Sequence, residues 1–185
     1  MLTATQTSYS DTSVELDATK VIHTGLSGAS RLAAAAVHLD YEAGMLWKTA
    51  EEMASGRAQT RAQRNAIVES FALHTRNLID FFYGDPRRPT KRRGKDDVVA
   101  GHFFSDPYRW QRARPRQSSL LRRAEKRADK EIAHLTYGRL DVEQQEKPWP
   151  ASDIVADLGA VLDAFGETAD LLPDRIKRRL ARYRS

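Results

Sequence analysis

The sequence predicts an all-α protein, a four-to-five-helix up-and-down bundle with a long basic connection between the second and third main helices. Three observations predict it. Apolar residues recur at three- and four-residue spacing in four separate stretches. No stretch shows the strict alternation of a half-buried strand. Glycine, proline and Ser/Thr residues stand where those stretches begin and end.

Taken in order, residues 1–29 read as a tail and loop, because the first 22 or so residues lack an apolar period and Gly25, Ser27, Gly28 and Ser30 follow. A first helix is expected from about Arg31 to Ala54, with an alanine run that favours helix and Gly56 as its stop. The second is expected from about Gln59 to Tyr83, carried by Ile67, Phe71, Leu78 and Phe82. Residues 84–117 form the long connection; Val98–Phe104 within it reads as a short helix or strand that Asp106-Pro107 ends. A third helix is expected from Ser118 or Ser119 to Tyr137, and a fourth from Ser152 as N-cap. A bundle over residues 30–172 and a basic C-terminal helix over 173–185 complete the division.

A chain of 185 residues with 41% hydrophobic content is long enough to bury one real core. It has no cysteine, which excludes disulfides, thiolate metal sites and cysteine nucleophiles. Neither a basic start followed by an apolar run nor a membrane-length apolar stretch is present, so a cytoplasmic location is the expectation and no membrane partner is. His23, His38 and His102 lack metal-ligand spacing, so neither a metal nor another cofactor is expected.

The net charge of +5 conceals an asymmetry. Residues 86–130 carry fifteen Lys/Arg against five Asp/Glu, half of the chain's 30 basic residues. Such a concentration favours RNA or another polyanion, unless the charges are spent on scattered surface pairs. The candidate nucleic-acid contacts are Arg87, Arg88, Lys91, Arg92, Arg93, Lys95, Arg112, Arg114 and Arg116. Phe103, Phe104, Tyr108 and Trp110 interleave with this stretch; they suit stacking on single-stranded bases, or packing of the connection onto the bundle. A second basic patch runs along the terminal helix from Arg175 to Arg184.

Arg127 and His134 lie seven residues apart, nearly two helical turns, so a continuous helix points them the same way. Glu131 lies between them and reaches either. On a helical wheel the three sit at the edge of the apolar stripe made by Leu121, Ala124, Ala128, Ile132 and Leu135. The alternatives are a solvated flank and a cleft. His74 and Asn77 are candidates for the same cleft, although a histidine beside an apolar stripe is commonly a packed structural residue.

The segment Asp129-Lys130-Glu131-Ile132-Ala133-His134-Leu135-Thr136, with Arg127 before it and the helix Ala72–Phe82 upstream, resembles the HEPN superfamily of small all-α nucleic-acid-associated domains. The likeness covers about residues 60–165. One position departs: Ala128 follows the arginine, where the family commonly has a polar residue. The resemblance implies metal-independent RNA cleavage in a bacterial defence or toxin–antitoxin setting, with Arg127, His134 and Glu131 as the catalytic set, a homodimer, and a protein antitoxin as partner. The alternative is a non-catalytic helical dimerisation or binding module.

Overall fold

A computed structural model describes residues 28–58, 60–86, 97–130 and 148–183. Among these the fold is all-α: α1 (Gly28–Ser55), α2 (Arg61–Tyr83), a 3₁₀ turn (Ala100–Phe103), α3 (Pro107–Ala113), α4 (Ser119–Ala128), α5 (Ala151–Thr168), α6 (Asp174–Leu180) and a closing 3₁₀ turn (Ala181–Tyr183). None of the described residues forms a strand. The expected helical bundle is therefore what the chain forms; among the described residues the short α3 is the α-helix that the sequence does not lead one to expect, while α6 falls where the basic C-terminal helix is expected.

α1 ends where the sequence says it should. Gly56 has φ +63°, the left-handed conformation that closes a helix at little cost only for glycine. α2 opens at Arg61, two residues after the expected start at about Gln59, on a reciprocal cap. Thr60 Oγ1 accepts from the Gln63 N–H at 3.1 Å, and the Gln63 side chain accepts from the Thr60 N–H at 2.9 Å. The short connection sets α1 and α2 against each other as neighbours. They bury Ala36, Leu39, Ala43 and Leu46 against Phe71, Leu78, Ile79 and Phe82. Each large side chain fully buried in this way contributes about 1.5–3 kcal/mol.

The connection after α2 departs from expectation. Asp106-Pro107 does not only end a segment; it opens α3. The Asp106 carboxylate accepts from the Tyr108 N–H at 3.0 Å, and Pro107 takes a first-turn position that needs no donor. Phe103, Phe104 and Trp110 are buried, which removes them as base-stacking candidates. They surround Phe165 of α5 with ring centroids 5.5–6.0 Å away, together with Phe81 and Phe82 of α2. Trp110 also donates its indole N–H to the Phe82 carbonyl at 2.6 Å. The aromatics thus fasten the connection to the bundle.

α5 begins at Ala151 with Pro150 at its cap position, so Ser152 lies inside the first turn instead of capping it. The C-terminal helix α6 is not a separate unit. Ile176 and Leu180 are buried in the common core, and Tyr183 packs on Trp47 of α1 at 5.5 Å between ring centroids. Arg179 pairs at 2.6 Å with Asp40, a carboxylate only 4% exposed. The side of α1 that meets α6 has Gly44 at the contact: a Cβ there would come within 2.8 Å of the Tyr183 hydroxyl.

Candidate nucleic-acid interface

The basic stretch becomes two kinds of surface once folded. Its first part, with Arg87, Arg88, Lys91, Arg92, Arg93 and Lys95, lies outside the described residues. Of the three arginines that follow α3's first turns, two are committed to the protein itself. Arg112 pairs with Asp106, which ties down the start of α3. Arg114 donates to the Phe82 carbonyl at 3.1 Å and lies 5.1 Å from the Tyr83 ring centroid, closing the C-terminal end of α2. Burial pulls the Arg114 pKa down and pushes the Tyr83 phenol up, while the two groups oppose each other's shifts. Arg116 is exposed.

α4 carries the remainder. Ser118 caps it, accepting from the Leu121 N–H at 3.0 Å while donating to Asp157 of α5 at 2.6 Å. Leu121, Ala124 and Ala128 then face the core. The regular α-helix runs to Ala128, and Asp129 and Lys130 follow in a wider, π-type turn; the remainder of the expected helix, to Tyr137, lies outside the described residues. Glu131 and His134 lie outside the described residues.

Arg127 has a defined setting. Its guanidinium carbon lies 4.4 Å from the Trp149 ring centroid, and Nη1 donates to the Pro148 carbonyl at 3.4 Å. Trp149 is itself buried, edge-on to Phe71 at 6.0 Å. Stacking on a ring uses the face of a guanidinium, and its N–H groups lie in the plane, where a carboxylate, carbonyl or phosphate oxygen meets them. Two residues on, buried Asp129 holds Arg76 Nε of α2 at 2.9 Å and locks the end of α4 to the bundle.

His74 and Asn77 come together, but on Glu42 of α1. Glu42 Oε2 lies 2.7 Å from His74 Nδ1 and 3.1 Å from Asn77 Nδ2. A carboxylate oxygen accepts, so His74 carries its hydrogen on Nδ1 in this contact. His74 is buried and also meets the edge of Tyr41. Asn77 and Glu42 line an open cleft of about 1070 Å³ between α1, α2 and the start of α4. Arg127 is not among the residues that line it. The cleft wall carries Glu42, Asp80, Asp85, Asp97 and Glu125 against Arg76 and His38. Among the described residues the cleft lining is therefore acidic in balance, which disfavours a phosphate chain on this part of its wall.

Sequence reasoning missed Glu42, Trp149 and the Arg76–Asp129 pair. Each is a contact between residues far apart in the chain, and no local period marks it. Trp149 had only its flanking prolines as a signal.

Among the described residues no three His, Cys, Asp or Glu side chains gather to hold a metal ion, and no helix is long and apolar enough to cross a membrane. Comparison with protein-family models, with curated proteins and with solved structures gives no match to this chain.

Proposed function

We propose that this chain is an RNA-binding protein of the defence or toxin–antitoxin kind that cleaves RNA without a metal ion. The observation that carries the reading is Arg127: a permanent cation braced by a buried tryptophan at the end of a cationic helix, directly before the segment with Glu131 and His134. In the proposed reaction the 2′-hydroxyl of a nucleotide loses its proton and attacks the adjacent phosphorus. The P–O5′ bond breaks, and the departing oxygen takes up a proton. The products are a 2′,3′-cyclic phosphate and a 5′-hydroxyl. His134 transfers a proton in this sequence, Arg127 stabilises the charge that grows on the phosphate oxygens, and Glu131 orients one of them. A homodimer that sets two such groups side by side, and a protein antitoxin that covers them, belong to the same proposal.

A second reading has its own support. Stacking on Trp149 and the bond to Pro148 give Arg127 a structural task, as expected of a non-catalytic RNA-binding module. End-group analysis of RNA incubated with the protein in chelator separates the two. Cyclic phosphate and 5′-hydroxyl ends support cleavage. Intact RNA that is nevertheless retained by the protein supports the binding module.

A further inference from the structure

α4 sorts its charges by side. Its two acidic neighbours turn inward: Glu125 accepts from Gln117 at 3.1 Å beside the cleft, and Asp129 is buried under Arg76. Arg123, Lys126 and Lys130 turn outward and are exposed. At 100° per residue Arg123 and Lys126 fall within a sector of about 60°, with Arg127 on the flank of that sector nearest the core, and Lys130 follows four residues after Lys126, exposed in the π-type turn. None of the three has an acidic partner among the described residues. Four cations elsewhere are paired with carboxylates, Arg57 on Glu52, Arg76 on Asp129, Arg112 on Asp106 and Arg179 on Asp40, while exposed arginines of the C-terminal segment form a rival basic surface.

We propose that the outer face of α4, through Arg123, Lys126 and Lys130, is the track on which the phosphate backbone of a single RNA strand lies, delivering it to Arg127. The inference rests on the RNA reading above and assigns its binding surface. A helix that pairs its own carboxylates inward and leaves only cations outside presents an uncompensated row to a row of phosphates. No aromatic side chain stands in that row, so recognition is by the backbone and independent of sequence. A single strand is the form that fits, because attack by the 2′-hydroxyl needs a nucleotide free to turn that oxygen in line with the departing one.

The test is titration of the full-length protein with a short fluorescent single-stranded RNA over a range of salt concentrations. Two charge-matched triple variants are compared, each checked for native helicity and melting. One is Arg123→Gln/Lys126→Gln/Lys130→Gln. The other removes exposed arginines of the C-terminal segment, Arg175→Gln/Arg178→Gln/Arg182→Gln. The α4 variant is expected to bind about tenfold or more weakly, with a slope of log K against log salt shallower by about 2, the value for three lost phosphate contacts on a single strand. The C-terminal variant should keep the wild-type slope. Equal losses in both variants, or a loss only in the C-terminal one, overturn the α4 track while leaving RNA binding standing. Wild-type protein that holds anionic vesicles or an acidic peptide but no RNA overturns both the track and the proposed function.

Discussion

Arg127 stacks on Trp149, with 4.4 Å between the guanidinium carbon and the ring centroid, and it bridges from there to the Pro148 carbonyl. The pair joins the end of α4 to the residues that enter α5. Two tasks therefore meet in one side chain, and they separate experimentally. Truncation in Arg127→Ala removes the stack and should lower stability by about 1 kcal/mol in urea unfolding. Arg127→Lys keeps the charge but neither the flat face nor the forked donors, so it should cost RNA affinity or cleavage more than it costs stability. Equal effects of both variants on stability and on RNA would leave Arg127 as a brace alone.

Gly44 offers a prediction of sign. An alanine in the middle of a helix is ordinarily more stable than glycine by up to about 1 kcal/mol. Here the added methyl would stand 2.8 Å from the Tyr183 hydroxyl, so Gly44→Ala should instead destabilise by about 1–3 kcal/mol. Tyr183→Phe removes the obstructing oxygen and should recover part of the loss in the double variant. Thermal melting of the four proteins checks both statements; additive effects would contradict the contact.

The same tyrosine gives a pH dependence. Burial raises the Tyr183 pKa, and Asp40 nearby raises it further, against a smaller opposing pull from Arg179. The folded value thus lies above the unfolded one, so the folded state holds the phenol proton more tightly. That contribution is complete below the unfolded tyrosine value of about 10 and is lost as pH rises through the folded value. Wild type should lose stability more steeply than Tyr183→Phe above about pH 10. Parallel curves in denaturant titrations would show that the phenol titrates as if exposed.

Asp170 tests the acid side. The Ser105 hydroxyl donates to it at 2.6 Å, and chiefly this bond holds its pKa below the usual carboxylate range. A depressed folded value means a contribution present above the unfolded pKa and lost as pH falls through the folded one. Ser105→Ala should therefore shrink the stability difference between neutral and acid pH relative to wild type. An unchanged acid limb would show that the exposed bond contributes nothing measurable.

Much of this fold is legible in the sequence because helix periods and stop signals are local. Phe71, Leu78 and Phe82 announce the buried face of α2, Gly56 announces the end of α1, and Ser118 announces the start of α4. Signals that serve two purposes mislead. Asp106-Pro107 marks a break and equally an N-terminus, and aromatics among arginines suit a base platform and equally a core. α3 and the Phe165 cluster were lost to those ambiguities. The site is less legible than the fold. Arg127 is placed correctly at the margin of α4's apolar stripe, but its partner Trp149 lies 22 residues on, and Glu42 lies more than thirty residues before His74 and Asn77. Such pairings follow from how helices pack, which no window of residues contains. The charge run from residue 86 to 130 likewise looks uniform in sequence; only folding divides it into Arg112 and Arg114, which serve the bundle, and Arg123, Lys126 and Lys130, which face outward.

The most direct test of the central claim is the rate of RNA cleavage in chelator by wild type and by His134→Ala, both shown to be folded by their melting curves. Proton transfer by a positioned histidine is worth about 10²–10⁴-fold in rate, so the variant should lose at least about a hundredfold while still binding RNA. Equal rates, or no cleavage by wild type, would contradict the account.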